Sequence, residues 1–448
     1  MASAAEQLAA NINFSAFSKA TELKNRIWFT LGALVIYRLG TYIPIPGIDP
    51  TILTEIFSRN AGGILGMFDM FSGGALGRMT IFALNIMPYI SASIIVQLLT
   101  AVSPQLEALK KEGESGRKKL NQYTRFGTVA LAAVQAYGIA VGLEGLRGGG
   151  GSAVVDPGMF FRLVTVITLT GGTIFLMWLG EQITARGVGN GISLIIFAGI
   201  VANLPHAVVA LLELGRTGAI SFATIAFFVV MAVAVIGFIV FMERAQRRIL
   251  VQYPKRQQGN KMFGGEASHL PLKLNTSGVI PPIFASSLLL LPATLASFNA
   301  ASGGTGILAE ITAYLAHGRP LYMLLYIALI VFFSFFYTAI VFNPVETADN
   351  LRKYGGFIPG IRPGKNTSDY LDYVLTRLTV IGSAYLAVVC ILPEFLISQY
   401  NVPFYFGGTS LLIVVSVTMD TVAQIHSHLL AHQYEGLIKK SKLRGRRG

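Results

Sequence analysis

The chain contains a series of apolar runs long enough to cross a lipid bilayer. Nine runs carry no Asp, Glu, Lys or Arg, and a tenth is interrupted only by Arg38; they lie at 27–43, 80–102, 126–143, 163–180, 192–212, 220–241, 278–298, 321–342, 378–393 and 402–419. A hydrocarbon core of about 30 Å needs about 20 helical residues, with a range of about 17–25. The runs therefore predict ten transmembrane helices, called span 1 to span 10 in chain order.

The composition agrees with a membrane protein. Of the 448 residues, 53% are hydrophobic and 13% are charged, with a mean hydropathy of +0.60. A soluble protein of this size could not hide so much apolar side-chain surface. The predicted fold class is an all-α integral membrane protein.

The positive charge is distributed unevenly between alternate loops. Of the 35 Lys and Arg residues, 28 lie in the N-terminus, the C-terminal tail and one set of alternate loops, and only 6 lie in the other set. Positively charged loops remain on the cytoplasmic side of a membrane. The pattern predicts that both termini are cytoplasmic, as ten crossings require. It also explains the net charge of +13 by topology rather than by nucleic-acid binding.

Two spans are interrupted at matching places in the two sets of five. Span 2 contains Asn85 and Pro88, and span 7 contains Gly278, Pro281 and Pro282. Paired Pro or Gly interruptions in the two halves of a membrane protein indicate a site of binding or passage. Because five is an odd number, the halves are expected to be inverted, pseudo-symmetric and arranged as a clamshell around a central pore.

This pattern predicts the following organisation, with a short re-entrant helix between spans 1 and 2. The parts are a cytoplasmic N-terminus (1–26), an N-terminal half (27–213) that includes an apolar half-membrane segment (62–76), an outer hinge loop (214–219), a C-terminal half (220–428) with long basic cytoplasmic loops (243–275 and 343–372), and a cytoplasmic tail (429–448). The basic loops fit either docking surfaces or simple topology signals.

Chemistry-bearing motifs are scarce. Residues 359–367 resemble a phosphate loop, but Pro359 stands where its first glycine is needed, so no nucleotide site is predicted. No catalytic set, cofactor or metal site is predicted, and Cys390 is the only cysteine. Glu181 is interpreted as a local cap or a partner of Arg186. A secondary transporter with inverted repeats is the alternative function, and a membrane enzyme ranks third.

The chain resembles the SecY family, the channel-forming subunits of the bacterial Sec protein translocase, from about residue 20 to 440. The matching motifs are IPIPGID at 43–49, MFSGGAL at 70–76, IMPYISAS at 86–93, KKEGESGR at 110–117, GEQIT at 180–184, GNGIS at 189–193, PLK at 271–273, TADN at 347–350, PGIRPG at 359–364 and PFYFGGTS at 403–410. One departure is Asn85, where the family commonly has glycine.

The resemblance implies a channel for unfolded secretory polypeptides that also releases hydrophobic segments sideways into the bilayer. It implies a pore ring of Ile86, Ile90, Ile192, Ile196, Ile283 and Ile413. It implies a plug with Ile64, Leu65, Met67, Phe68, Met70 and Phe71. It implies a lateral gate between spans 2–3 and 7–8 with Pro88, Gln97, Thr276, Ser277 and Pro281.

The resemblance also implies partners and a location. The docking residues for a motor or ribosome would be Arg247, Arg248, Lys255, Arg256, Arg362 and Lys365. The expected partners are the small membrane subunits SecE and SecG, the motor ATPase SecA, the translating ribosome, unfolded preproteins with their signal sequences, and anionic lipids. The expected location is the bacterial cytoplasmic (inner) membrane, with no nucleotide bound directly.

Overall fold

A computed structural model describes residues 21–53, 69, 72–145, 147–148, 151–218, 221–253, 256–258, 261–263, 267–289, 320–400 and 408–444. Its helices are α1 Thr21–Gly40, α2 Met87–Val102, α3 Pro104–Lys111, α4 Glu114–Gly145, α5 Met159–Arg186, α6 Gly191–Arg216, α7 Phe222–Arg244, α8 Ile280–Leu289, α9 Pro320–Val341, α10 Pro344–Lys353, α11 Lys365–Tyr400 and α12 Gly408–Arg444. Its strands are β1 Arg147–Gly148, β2 Gly151–Ser152, β3 Gln246–Gln252, β4 Arg256–Gln258, β5 Lys261–Phe263 and β6 Ala267–Lys273.

The described helices follow the ten predicted spans. Within the described ranges, seven helices are long and apolar enough to cross a membrane, or eight if the bent pair α2 and α3 counts as one span. The 20-residue α1 and the shorter apolar α8 fall on predicted spans 1 and 7. The apolar runs therefore located the helices correctly, although several helices extend beyond the charge-free runs.

The bend between α2 and α3 follows directly from the sequence. The two helix axes differ by 100°, and Ser103 between them is extended, with φ −94° and ψ 118°. A residue that precedes proline avoids the helical region because the proline ring clashes with it. Pro104 thus ends α2 and starts α3, which leads into the basic loop before α4.

The chain divides into two compact units: residues 1–205 with 417–448, and residues 206–416. In the first unit, α4 packs against α5 and α2, and α5 also packs against α1. At Gly172 of α5, any side chain would overlap the carbonyl of Ile81, so glycine permits this close approach. Nearby, the ring of Phe82 stacks between Tyr37 and Phe175, with centroid distances of 6.1 and 5.8 Å.

Two ion pairs join α4 and α5 at opposite ends. Arg125 donates two hydrogen bonds, of 2.9 and 2.7 Å, to the carboxylate of Glu181. Arg162 donates two, of 3.0 and 2.6 Å, to one oxygen of Glu144. The local interpretation of Glu181 was therefore wrong, because its partner lies on the neighbouring helix rather than at Arg186.

In the second unit, α11 is the central helix and contacts α7, α9 and α10. The loop between α7 and α8 forms an antiparallel hairpin in which β3 pairs with β6, from Gln246–Lys273 to Gln252–Ala267. A second short pair, β4 with β5, lies between them in the chain. The sequence analysis did not predict these strands.

Candidate functional site

The interruption in span 2 is an irregular segment followed by a helix start. Residues 72–86 form turns and one isolated bridge rather than helix. Asn85 has a positive φ of 49° and is 2% exposed, and Ile86 occupies the N-cap position of α2. Pro88 lies in the first turn of α2, where a missing N–H costs no helical hydrogen bond. The chain therefore enters α2 through a fixed, non-helical turn.

The interruption in span 7 has the same local construction. Residues 274–279 form bends and a turn before α8 begins at Ile280. Gly278 has a φ of +64°, a conformation that favours glycine. Pro281 and Pro282 then occupy the first turn of the helix. In both spans a residue with positive φ precedes a helix that carries proline in its first turn. The two sequence interruptions therefore correspond to two breaks in the helices.

A buried asparagine organises the entry to α8. The Asn275 side chain, 4% exposed, donates from Nδ2 to Oε1 of Glu243 at 2.7 Å and to the carbonyl of Gly278 at 3.0 Å. Its Oδ1 accepts a 3.0 Å bond from Ser277. The backbone N–H of Leu274 donates to the carbonyl of Ala245 at 2.9 Å. The end of α7 is thus bonded to the start of α8, a connection that sequence reasoning missed.

The six predicted ring residues share one structural feature. Each is the N-cap or one of the first six residues of its helix: Ile86 and Ile90 at α2, Ile192 and Ile196 at α6, Ile283 at α8, and Ile413 at α12. Ile86, Ile90, Ile196 and Ile413 are buried, and Ile192 and Ile283 are half-buried. The four at α2 and α6 belong to the first compact unit, whereas Ile283 and Ile413 belong to the second.

The predicted gate residues fall on the two helix starts and on α2. Gln97 donates from Nε2 to the hydroxyl of Ser93, one turn earlier in α2, at 3.2 Å. Thr276 donates to the carbonyl of Lys273 at 3.0 Å. Ser277 is buried and bonds Asn275, whereas Thr276 is half-buried. Thr276 and Ser277 thus have hydrogen-bond partners in the segment that leads from β6 into α8.

The six predicted plug residues, Ile64, Leu65, Met67, Phe68, Met70 and Phe71, lie outside the described residues. The structure does describe the turn that follows them and accounts for Arg38, the one charged residue inside a predicted apolar run. Arg38 and Arg78 both donate to the carbonyl of Gly73, at 2.8 and 3.1 Å. Their guanidinium carbons lie 5.2 and 4.2 Å from the ring centroid of Tyr42. Arg38 therefore binds protein backbone and an aromatic ring.

Asp69 closes the same turn from its other side. Its carboxylate accepts a 2.6 Å hydrogen bond from the N–H of Gly77, and its carbonyl accepts bonds from Gly74 N–H at 2.8 Å and Ser72 hydroxyl at 2.9 Å. Burial raises the pKa of the Asp69 carboxyl above its usual range, and the hydrogen bond from Gly77 opposes that shift. The segment that enters span 2 is therefore fixed by hydrogen bonds at several points.

The two long basic loops of the second unit are joined to each other. Gln252 at the end of β3 exchanges two backbone hydrogen bonds with Phe357, of 2.9 and 3.0 Å. The loops also share a hydrophobic core with α11, formed by Ile249, Val251, Leu272, Ile358, Leu371, Val374 and Leu378. They therefore form one folded platform rather than two independent loops, which we call the basic platform.

Several basic side chains lie on the surface of this platform. Arg247 and Arg248 on β3 are exposed. Arg362, just before α11, and Lys365, its first residue, are exposed as well. Arg256 lies on β4, where its backbone pairs with Phe263, and Lys255 lies outside the described residues. In β3, the side chains of Ile249 and Val251 point into the core while the residues between and around them are exposed. The strand therefore anchors itself with Ile249 and Val251 and carries Arg248 on its opposite, exposed face.

The comparisons with known proteins agree with this architecture. A family model described as SecY matches residues 80–422. The SecY protein translocase subunit of Rickettsia conorii is 59% identical over 433 residues, which cover 96% of this chain and 99% of that one.

Solved structures with the same fold include a SecY protein whose plug domain stabilises the closed state of the translocation channel, at 20% identity and a TM-score of 0.66. That match covers 92% of this chain and 93% of the other. Another is Sec61 in a canine ribosome–channel complex from the endoplasmic reticulum, at 19% identity and a TM-score of 0.63, with the same coverage.

These likenesses confirm the predicted fold class of ten spans with a plug. They also set aside the secondary-transporter alternative, because the relative and both neighbours are translocase or channel subunits. A chain with seven or eight described membrane-crossing helices is a multi-pass membrane protein. The chain belongs to the SecY family of protein translocase subunits, and its function is that of a protein-conducting channel.

Proposed function

We propose that this chain moves unfolded secretory polypeptides across the bacterial cytoplasmic membrane and releases hydrophobic segments sideways into the bilayer. The observation that carries this proposal is the pair of interrupted helix starts at Asn85 and Gly278. Backbone that leaves the helix at membrane depth needs protein or water around it, because lipid cannot satisfy its polar groups. Two such interruptions, one in each set of five spans, suit a path for a polymer.

The waist of this path would be the six isoleucines at the starts of α2, α6, α8 and α12. A narrow apolar collar offers no hydrogen-bonding partners to water or ions, so it dewets and blocks conduction at rest. Isoleucine also carries no group that would hold a passing chain by its sequence. The same collar can therefore seal the resting channel and fit loosely around many different side chains.

The lateral gate would lie between spans 2–3 and 7–8. A large apolar residue favours lipid by about 0.3–0.6 kcal/mol on the insertion scale. A stretch of about ten such residues would thus supply roughly 3–6 kcal/mol if the contributions add, and about 5.5 kcal/mol shifts an equilibrium from 1:99 to 99:1. A hydrophobic signal segment has enough free energy to open a gate whose closed seam contains polar residues such as Gln97.

The basic platform would dock the ribosome or a motor, with Arg256 and Arg362 at the centre of the contact. Its exposed arginines suit the phosphates of ribosomal RNA and the acidic groups of a protein partner. SecA would supply the driving force, and SecE and SecG would complete the membrane complex. The excess of Lys and Arg in this loop set supports a cytoplasmic location for the platform and both termini.

A reconstitution experiment tests the proposed function. The chain is placed in proteoliposomes with SecE, SecG, SecA and ATP, and a preprotein is added outside. We expect the preprotein to become protected from protease, and this protection should disappear when ATP is omitted or when detergent opens the vesicles. Protection that never exceeds that of vesicles lacking this chain would contradict the proposal.

A further inference from the structure

The contact between the end of α7 and the start of α8 depends on two side chains that no motif identifies. Glu243, the penultimate residue of α7, accepts the 2.7 Å hydrogen bond from Asn275, thirty-two residues later in the chain. The same amide nitrogen also binds the carbonyl of Gly278 at 3.0 Å, and the amide oxygen accepts from buried Ser277. One asparagine thus spans the joint whose backbone turns at Gly278.

Removing Glu243 takes one hydrogen-bond partner from the buried amide of Asn275, and removing Asn275 takes one from the half-buried Glu243. Asn275 and Ser277 are each 4% exposed, so water cannot replace a lost hydrogen bond there. The bond to Glu243 is charge-assisted, and hydrogen bonds to an ionised group contribute more than neutral ones.

We propose that Glu243 and Asn275 form a latch that holds the start of α8 against α7 and thereby sets how hydrophobic a signal segment must be to open the gate. This inference rests on the proposed function, in which α8 belongs to the lateral gate. Both are positioning residues, because they fix the entry to the helix. A looser latch lowers the cost of displacing α8, so weaker signals suffice.

The test measures export of two forms of one preprotein, with a full and a shortened apolar signal core. Asn275→Asp removes both amide N–H donors and sets a carboxylate against Glu243, and Glu243→Ala removes the acceptor. We expect either change to raise export of the shortened-signal form roughly ten-fold, as loss of one charge-assisted hydrogen bond shifts a two-state equilibrium. Export of the full-signal form should stay near wild type.

Two control variants separate the latch from general damage. Glu243→Gln keeps an acceptor oxygen for Asn275 without the charge, so its effect should be clearly smaller than that of Glu243→Ala. Thr165→Val removes a hydroxyl buried in α5 that has no hydrogen-bond partner among the described residues, and it should leave the threshold unchanged. A merely structural weakening would lower the export of both precursors and the amount of channel in the membrane.

A double-mutant cycle makes the proposal falsifiable even if Asn275→Asp fails to accumulate. In an Asn275→Ala background, Glu243→Ala should add almost nothing, because the bond is already lost. Fully additive effects, or shortened-signal export equal to wild type in Glu243→Ala, would overturn the latch. If instead no variant and no wild type exports the full-signal form, the proposed function itself fails.

Discussion

At the scale of single residues, Asn85 combines burial with a backbone conformation that few side chains adopt. Its φ of 49° lies in the left-handed region, where glycine and asparagine are tolerated and branched or bulky residues are not. The departure from the family's common glycine is therefore conservative in backbone terms. The same feature limits what can be substituted immediately before the predicted pore residue Ile86.

Replacing Asn85 tests this reading of the turn. We expect Asn85→Gly to retain the turn, and Asn85→Leu to destabilise the folded protein by about 1–2 kcal/mol through left-handed backbone strain. Thermal unfolding in detergent, followed by fluorescence or by loss of solubility, compares the two variants. Equal stability of the leucine and glycine variants would show that the turn relaxes without cost.

The proposed collar leads to a prediction about ion conduction. Changing Ile86 and Ile283 together to asparagine should let ions leak through resting channels, because polar side chains wet a narrow apolar constriction. Planar-bilayer conductance measures the leak, and the matched control changes the same two residues to leucine, which keeps the collar apolar. Conductance of the asparagine variant equal to that of the leucine variant would argue against these residues as ring members.

Residues that form the long-range contacts could not be found from the sequence. Nothing local in the sequence shows that Asn275 and Glu243 are partners, because thirty-two residues separate them. Arg38 was recognisable as an exception inside an apolar run, but its acceptor, the carbonyl of Gly73, depends on how a turn folds back. Helix starts were easier to predict, since Pro88 and Pro281 carry their conformational preference in their own rings.

At the scale of elements, the α4–α5 hairpin is bonded at both ends by arginine–glutamate pairs. On each helix, 19 residues separate its two charged members, Arg125 from Glu144 and Arg162 from Glu181. At 1.5 Å per residue this is about 28 Å, close to a hydrocarbon thickness of about 30 Å. The equal spacing was visible in the sequence and could have predicted the antiparallel register of the two helices.

Breaking these pairs should loosen the hairpin unequally. We expect Arg162→Glu to lower the thermal unfolding temperature in detergent by several degrees, because it faces the largely buried Glu144 with a like charge. Arg125→Glu should cost less, since both members of its pair are more exposed. Restoration of the unfolding temperature by the exchange Glu144→Arg with Arg162→Glu is the control, and no recovery would assign the loss to packing alone.

The hairpin of β3 and β6 shows where element prediction failed. Its alternation is short: only Ile249 and Val251 of β3, and Leu272 of β6, are buried, and basic residues surround them. A loop between two membrane helices is usually judged by charge and length, and such a brief period-two pattern is easily overlooked. The long uncharged runs, by contrast, are unambiguous because only helices or closed barrels span lipid.

At the scale of the whole molecule, the basic platform is the surface proposed for cytoplasmic partners. We expect Arg362→Glu to reduce SecA-driven export several-fold while the channel itself still integrates into the membrane. The matched control is Lys118→Glu, which makes the same charge change at an exposed position near the start of α4 in the other compact unit. Normal motor-driven export by the Arg362 variant would count against docking at this surface.

The ten-span fold could be predicted because the bilayer imposes strong, additive rules on hydrophobicity. The division into compact units could not. Its boundaries fall at Pro205 inside α6 and at Ser416 inside α12, and a helix that continues through a boundary gives no signal in composition. From loop length and net charge the two basic segments could be recognised, but the hydrophobic core that joins them could not be predicted.

That join has a mechanical consequence. Because Gln252 and Phe357 bond the two segments backbone to backbone over a common set of buried side chains, a load applied to either one is carried by both and delivered to the first turns of α11. A partner bound to this surface therefore contacts one rigid body rather than two independent loops. Two large partners that use the same surface would exclude each other.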